Sequence, residues 1–278
     1  MDFDIVPASN YSLPDLVKLL NRGFENYFIP IQFTADMFSN MLRKDGIDLA
    51  DSRVLITDDQ TSGIALIACR RMNHTSRLAA MGIAKGTRGK GAGSWFMKQL
   101  VAEARERGDK EIVLEVIEQN EPAVKLYQKH GFQSLRRLVG YIRGGREVDE
   151  PEKGNLEKIT LQEVGSLILQ YGLTDLPWQL SGESITQMNP PPHAYRCGKA
   201  YIVISNPEAE HVIIWSLLVE PRARGNGLGT EMLERVITHH PQKTWHIPAI
   251  CPEELGKVME RAGFVKEALS QWQMKAEL

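Results

Sequence analysis

Two windows of six residues carry the clearest chemistry in this chain, Arg88-Gly89-Lys90-Gly91-Ala92-Gly93 and Arg224-Gly225-Asn226-Gly227-Leu228-Gly229. Each follows an apolar, strand-like run, Leu78 to Ile83 or Val212 to Val219, and each opens an amphipathic helical pattern. A strand, a glycine-rich turn and a helix in that order form a cradle for phosphate. Glycine lets the backbone approach an anion without a Cβ in the way, and the first N–H groups of the helix point at it from the positive end of the helix dipole. The arginine can add a charge-assisted hydrogen bond. Neither window reads Gly-x-x-x-x-Gly-Lys-Ser/Thr, and neither has the first glycine of a Gly-x-Gly-x-x-Gly dinucleotide fingerprint.

Two further stretches carry groups able to move protons. In Asn120-Glu121-Pro122-Ala123-Val124-Lys125-Leu126-Tyr127-Gln128-Lys129-His130-Gly131-Phe132, Pro122 suits a first helical turn, Asn120 can cap or bond a ligand, and Gly131 can supply a left-handed stop. Ala123, Leu126 and Tyr127 share one helix face, so the Tyr127 hydroxyl points inward and needs a partner; such a tyrosine is either a core residue or a proton donor. Upstream, Glu111-Ile112-Val113-Leu114-Glu115-Val116-Ile117 reads as a buried strand. Alternation puts Glu115 on the face opposite Ile112, Leu114 and Val116, where a carboxylate must reach solvent, a partner or a cleft. It is either an edge or paired glutamate, or a general base with a raised pKa.

Taken together these stretches resemble the GNAT-type, acetyl-CoA-dependent N-acetyltransferases. The family's Val-x-Pro-x-x-Arg-x-x-Gly-x-Gly pyrophosphate loop is matched in full from Val219-Glu220-Pro221 through Arg224 and onward; the first copy has Ile83 for the valine and Lys85 for the proline. The family's Asn-x-x-Ala-x-x-Leu-Tyr-x-x-x-Gly-Phe segment is matched from Asn120 to Phe132. The resemblance implies that Met81, Gly82, Ile83 and Arg88 to Gly93 hold acetyl-CoA, with Leu218, Val219 and Arg224 to Gly229 as their second-copy counterparts. It also implies that Asn120 contacts the pantetheine arm and that Tyr127 is the general acid near the thioester sulfur. On this reading an amine attacks the thioester, a backbone N–H near Met81 to Ile83, where the fourth strand bulges, meets the oxyanion, and Glu115 is the candidate base.

The loops belong to a tandem repeat. Their offset is 136 residues, and it narrows to 132 where Gly131-Phe132 aligns with Gly263-Phe264. Phe96, Met97, Leu100 and Val101 then fall on Met232, Leu233, Val236 and Ile237, one buried helix stripe written twice. Residues 144–155, charged and rich in breakers, read as a linker between domains 1–143 and 156–278. In the first copy Phe3 to Val6, Val54 to Thr57, Ile64 to Arg70 and Leu78 to Ile83 read as strands, and Leu13 to Phe24 and Thr34 to Lys44 as helices. The segment Tyr27-Phe28-Ile29-Pro30-Ile31-Gln32-Phe33 between the first two strands has no clean period; it reads either as a loop packed onto the core or, as the resemblance implies for this connection, as a wall of the acceptor site. The expected fold is α/β (α+β), two GNAT-like domains, each a mixed, mostly antiparallel sheet flanked by helices.

In the second copy Tyr127 falls on Met259 and Asn120 on Pro252, so the helix face survives without its hydroxyl and amide. The first copy is therefore expected to catalyse and the second to support or bind donor without turnover. Two alternatives stay open: a catalytic second copy using Tyr195 or Tyr201 as acid, or a non-enzymatic acyl-CoA sensor. Pro248 in the strand-like Thr244 to Ile250 belongs at an edge or bulge, and His246 there reads as structural.

With 278 residues, 42% hydrophobic and 24% charged, the chain has the composition of a soluble globular protein. A net charge of −2 without a basic stripe gives no argument for nucleic acid or an anionic membrane. Three scattered cysteines suggest reduced thiols in a cytoplasm, with no disulfide framework, and the start of the chain lacks a signal-peptide pattern. No histidine falls at a metal-ligand spacing, so no metal is expected. Acetyl-CoA and a small amine acceptor are the expected partners.

Overall fold

A computed structural model describes residues 2–145 and 156–278; the greater part of the predicted linker lies outside the described residues. The first half of the chain runs β1 (Phe3–Pro7), α1 (Leu13–Gly23), α2 (Ala35–Asp45), β2 (Ile47–Thr57), β3 (Gln60–Arg70), β4 (Thr75–Ile83), α3 (Ala92–Arg107), β5 (Glu111–Ile117), α4 (Glu121–Lys129) and β6 (Gln133–Arg143). The second half repeats the plan as β7 (Glu157–Ile159), α5 (Leu161–Tyr171), α6 (Gly182–Thr186), β8 (His193–Cys197), β9 (Ala200–Ile204), β10 (His211–Val219), α7 (Leu228–His239), β11 (Thr244–Pro252), α8 (Gly256–Arg261) and β12 (Val265–Glu277).

Helix starts follow capping chemistry. Ser12 and Thr34 accept from the backbone N–H three residues on, and Thr160 forms a full capping box with Glu163. The two helices that follow the glycine loops differ: α3 and α7 have Gly91 and Gly227 at the N-cap position, so no side chain caps either.

The chain divides into two compact units, Met1–Leu135 with Trp272–Leu278, and Arg136–Gln271. These do not coincide with the predicted 1–143 and 156–278, because the last strand of each repeat is completed elsewhere. In the first unit β1 to β5 lie in sequence order, with the end of β12 beside β5. There the Leu278 N–H donates to the Lys110 carbonyl, Lys275 pairs with Glu111 at 3.3 Å, and Met274 and Ala276 enter the same core as Phe96, Leu100 and Tyr127. In the second unit β6 pairs antiparallel with β11. Val139 and Tyr141 join its core with Met232, Val236 and Trp245, and Arg143 binds Glu234 at 2.8 Å. The stripe written twice in the sequence is therefore buried twice, once in each core.

Both sheets open in the same place. β4 runs parallel to β5 for three pairs only, Thr75 to Arg77 against Glu111 to Val113, and β10 runs parallel to β11 for three, His211 to Ile213 against Thr244 to His246. Immediately beyond, each inner strand carries a bulge against its antiparallel neighbour. Ala79 is the extra residue of β4 and Trp215 that of β10. A bulge twists and bends its strand, so each parallel pair parts into a wedge. Pro248 lies where β11 shifts register against β6, between Ile247 and Cys251, which suits a residue that cannot donate to the ladder.

If β12 completes the first unit, truncating Met274, which is fully buried, to alanine will lower stability by about 2–5 kcal/mol. Urea unfolding measures this, and an unchanged midpoint would mean that the strand end does not pack there.

Candidate functional site

In each unit the glycine loop sits at the mouth of the wedge. Gly89 and Gly91 have φ of 77° and 85°, and Gly225 and Gly227 have 82° and 81°. These are left-handed values that favour glycine. Among the described residues, and apart from each glycine's chain neighbours, no atom lies within 4 Å of where a Cβ would stand at these four positions, and the glycines are exposed, so the turns have open space beside them. The uncapped starts of α3 and α7 leave their first amides aimed into that space.

The arginines of both loops are engaged with backbone carbonyls. Arg88 donates from Nε to the Ile83 carbonyl at 2.7 Å and from an Nη to the Gly23 carbonyl at 2.8 Å. Arg224 repeats this with the Val219 carbonyl at 3.0 Å and the Tyr171 carbonyl. Each guanidinium ties the loop to the end of its strand and to the C-terminal end of the first helix of its repeat, so it shapes the cradle from behind. Gly82 likewise lies against backbone: a Cβ on it would meet Gly23 Cα at 2.9 Å, so its lack of side chain serves the approach of α1 to β4. Met81 and Ile83 flank it, packed against the first core. Lys90 is exposed, Ala92 is buried, and Gly93 lies under Leu126 of α4. In the second loop Asn226 donates to the Ala223 carbonyl at 3.4 Å, Leu228 packs on the second core, and Gly229 lies under Val258. Leu218 is buried on the α5 side of the sheet, and Val219 packs on the α7 side.

Across the wedge of the first unit stands α4, capped by Asn120, whose side chain accepts from the Ala123 N–H. Tyr127 is buried beside Phe132, with ring centroids 5.8 Å apart. Burial pushes its hydroxyl well above the ordinary tyrosine range, and the nearby Tyr27 adds to the shift, so Tyr127 stays protonated. Tyr27 comes from the segment predicted as the acceptor wall. Its own pKa is raised by burial and opposed by a hydrogen bond with Asn120, while its ring meets Phe24 and Phe28 edge to face. Asn21 holds that segment to α1 by two hydrogen bonds with the Phe33 backbone, and Phe28, Ile29 and Ile31 are exposed along it. Tyr27 was legible only as part of an aperiodic aromatic run; its place beside Asn120 and Tyr127 comes from the tertiary structure.

Glu115 requires a correction. It lies on the predicted face of β5, but its Oε2 is 2.7 Å from an Nη of Arg77 and the two side chains are 3% and 5% exposed. Arg77 also reaches Asp45 at 3.3 Å. A carboxylate engaged by a buried guanidinium belongs to the packing between α2 and the sheet, and it is not placed as a base for an incoming amine. The predicted oxyanion region is also adjusted: the bulge of β4 lies at Ala79, ahead of Met81 to Ile83.

The second unit keeps the wedge and loses the hydroxyl. A cavity of about 330 Å³ opens there, lined by β10 from Ile214 to Val219, by the loop from Ala223 to Gly229, and by Ile247, Cys251, Val258 and Met259. Burial of Cys251 pushes its thiol up to about 12. The tyrosines considered as substitute acids are not among the lining. Tyr195 is hydrogen-bonded to His193 and His240 at 3.1 and 3.0 Å, and Tyr201 donates to Glu220 at 2.9 Å. His246 is held by Glu267 at 2.8 Å.

A tandem pair of α/β units, each with a glycine loop over a parted parallel strand pair, defines the class of fold. The sequence profile of the Acetyltransferase (GNAT) family matches residues 13–132 and 196–250, and the chain belongs to that family. It is 35% identical over 86 residues to a streptothricin acetyltransferase of Streptomyces lavendulae, covering 30% of this chain and 46% of that protein, so the match spans about half the relative's length. The whole fold is similar to a GCN5-related N-acetyltransferase from Sphaerobacter thermophilus, with TM-score 0.68 and 15% identity over 99% of this chain and 95% of that one. It is also similar to a tandem GNAT protein from the clavulanic acid biosynthesis pathway, with TM-score 0.66 and 15% identity over 99% and 98% of the two chains.

Two outcomes follow. Glu115→Ala removes the nearer of the two carboxylates on buried Arg77, leaving Asp45 at 3.3 Å, and should cost about 3–5 kcal/mol in chemical denaturation; loss of activity with stability untouched would restore Glu115 as a base. His240 is pushed down to about 4 by burial, with His239 adding. A pKa lowered on folding means that the unfolded chain binds the proton more readily, so this contribution to stability is full above pH ~6.5 and is lost as the pH falls toward 4. His240→Asn should flatten that slope in thermal melts recorded across the interval; an unaltered slope would place it elsewhere.

Proposed function

We propose that the chain is an N-acetyltransferase whose first unit moves an acetyl group from acetyl-CoA to a primary amine of a small acceptor. The observation that carries this reading is the meeting, in one wedge, of an open anion loop, Asn120 and a buried, protonated Tyr127. The diphosphate of the donor would lie on the amides that begin α3, framed by Gly89 to Gly93. The pantetheine arm would run between β4 and β5, where Asn120 can bond it. Amides of β4 beyond Arg77, released from pairing with β5, would meet the carbonyl oxygen as it gains charge.

The amine attacks the thioester carbonyl, the C–N bond forms, and collapse of the tetrahedral adduct breaks the C–S bond. Tyr127 would donate to the sulfur as it gains negative charge and act as general acid. Its raised pKa makes complete transfer uphill on its own, so the proton shed by the nitrogen restores the balance. Tyr27 and the apolar lip of Phe28, Ile29 and Ile31 would border the acceptor. The second unit would bind donor without turnover, since Met259 and Pro252 replace the tyrosine and asparagine. A catalytic second unit lacks support, because Tyr195 and Tyr201 are engaged elsewhere.

CoA release over a panel of amines, with streptothricin included because a relative bears its name, tests the assignment. Tyr127→Phe should lower turnover roughly 10- to 1,000-fold with donor affinity nearly intact. Undiminished turnover in that variant would remove the proposed acid from the first unit.

A further inference from the structure

The wedge of the second unit is more than a copy of the first without its acid. Aligning the last paired positions of the parallel strands, Arg77 with Val113 and Ile213 with His246, puts Ile213 in the place of Arg77 and Pro248 in the place of Glu115. Where the first unit fills the α2 side of its wedge with a buried ion pair, the second has two apolar groups and no charge. The cavity runs into that region. Beyond the residues at the loop it is walled by Ile168 at the end of α5, by Leu173, Leu176 and Leu180 on the connection that follows, and by Trp215 at the bulge. It therefore extends from the anion loop, through the gap where β10 and β11 part, to an apolar compartment on the far face of the sheet. Its volume of about 330 Å³ falls at the lower end of the range for ligand pockets.

We infer that this second-unit cavity binds a CoA thioester whose acyl chain is longer than acetyl, with the diphosphate on the amides of Gly227 to Gly229 and the chain among Ile168, Leu173, Leu176 and Leu180, and holds it unreacted. The inference rests on the reading that the second unit is a donor-binding unit, and it adds the class of donor. Three features converge. The loop supplies a site for an anion, and the compartment is walled mainly by the aliphatic side chains of Ile168, Leu173, Leu176 and Leu180 with the Trp215 ring. The cavity joins the two in one run, which suits a ligand that is anionic at one end and aliphatic at the other. Met259, buried at the position of the tyrosine, offers the thioester sulfur no proton. A long-chain donor held there is a stable occupant whose presence could report acyl-CoA supply to the chain that carries the first unit.

Isothermal titration of the full chain with CoA, acetyl-CoA and octanoyl-CoA tests this. Octanoyl-CoA should bind one site roughly 30-fold or more tightly than acetyl-CoA, the effect of two to three methylenes fully buried. Gly227→Val should abolish that site. Leu176→Trp and Leu180→Trp, made separately, should shrink the preference to within about threefold while CoA affinity holds, which also shows that each variant is folded. Octanoyl-CoA binding no more tightly than acetyl-CoA, or a preference that survives both tryptophans, would overturn the acyl compartment and leave the donor site standing. If Gly227→Val left every heat unchanged, the second unit would not be a donor site and both readings would fall. Octanoyl transfer to the amine panel that survives Tyr127→Phe would overturn the unreactive role alone.

Discussion

Two parallel strands that pair for three residues and then separate are the constraint on which both units depend. Parallel strands joined through a helix ordinarily pair along their length, because every unpaired amide in a buried sheet costs free energy. Here the extra residue on the inner strand, Ala79 or Trp215, twists that strand away from its parallel neighbour. The backbone groups exposed in the gap are then available to a ligand. The same bulge thus opens the cleft and supplies its hydrogen-bonding wall.

What surrounds the wedge keeps it open in one shape. The arginine of each loop fastens the turn to its own strand and to the first helix of the repeat through carbonyl contacts, which restrains the positive-φ glycines. The last strand of each unit comes from the other repeat: β12 delivers Met274 and Ala276 beneath α3 and Tyr127, and β6 delivers Val139 and Tyr141 beneath α7. Neither core is complete with the residues of one repeat alone.

The two wedges then diverge through a few substitutions. The first keeps Tyr127, Asn120 and the Arg77–Glu115 pair. The second carries Met259, Pro252, Ile213 and Pro248 at those places. One has a buried tyrosine hydroxyl and a charged backing, the other an apolar recess behind the same kind of glycine loop. The family supplies the scaffold, and the difference in chemistry comes from side chains at matched positions on it.

Local pattern determined the loops, the helices they open, the capped start of α4, the inward face of Tyr127 and the loss of that hydroxyl in the second copy, because glycine spacing, caps and the 3.6-residue period are properties of neighbouring residues. Pro248 at a bulge and Glu115 on the face away from Leu114 were legible for the same reason. Tertiary structure alone decided that Arg77 engages Glu115, that Arg88 and Arg224 face backbone carbonyls, that Tyr27 joins Asn120 and Tyr127, and that β6 and β12 finish each other's sheets. Each of those depends on which of several compatible partners reaches a given group in space, most of them tens of residues away along the chain, and periodicity along a single chain carries no record of that choice.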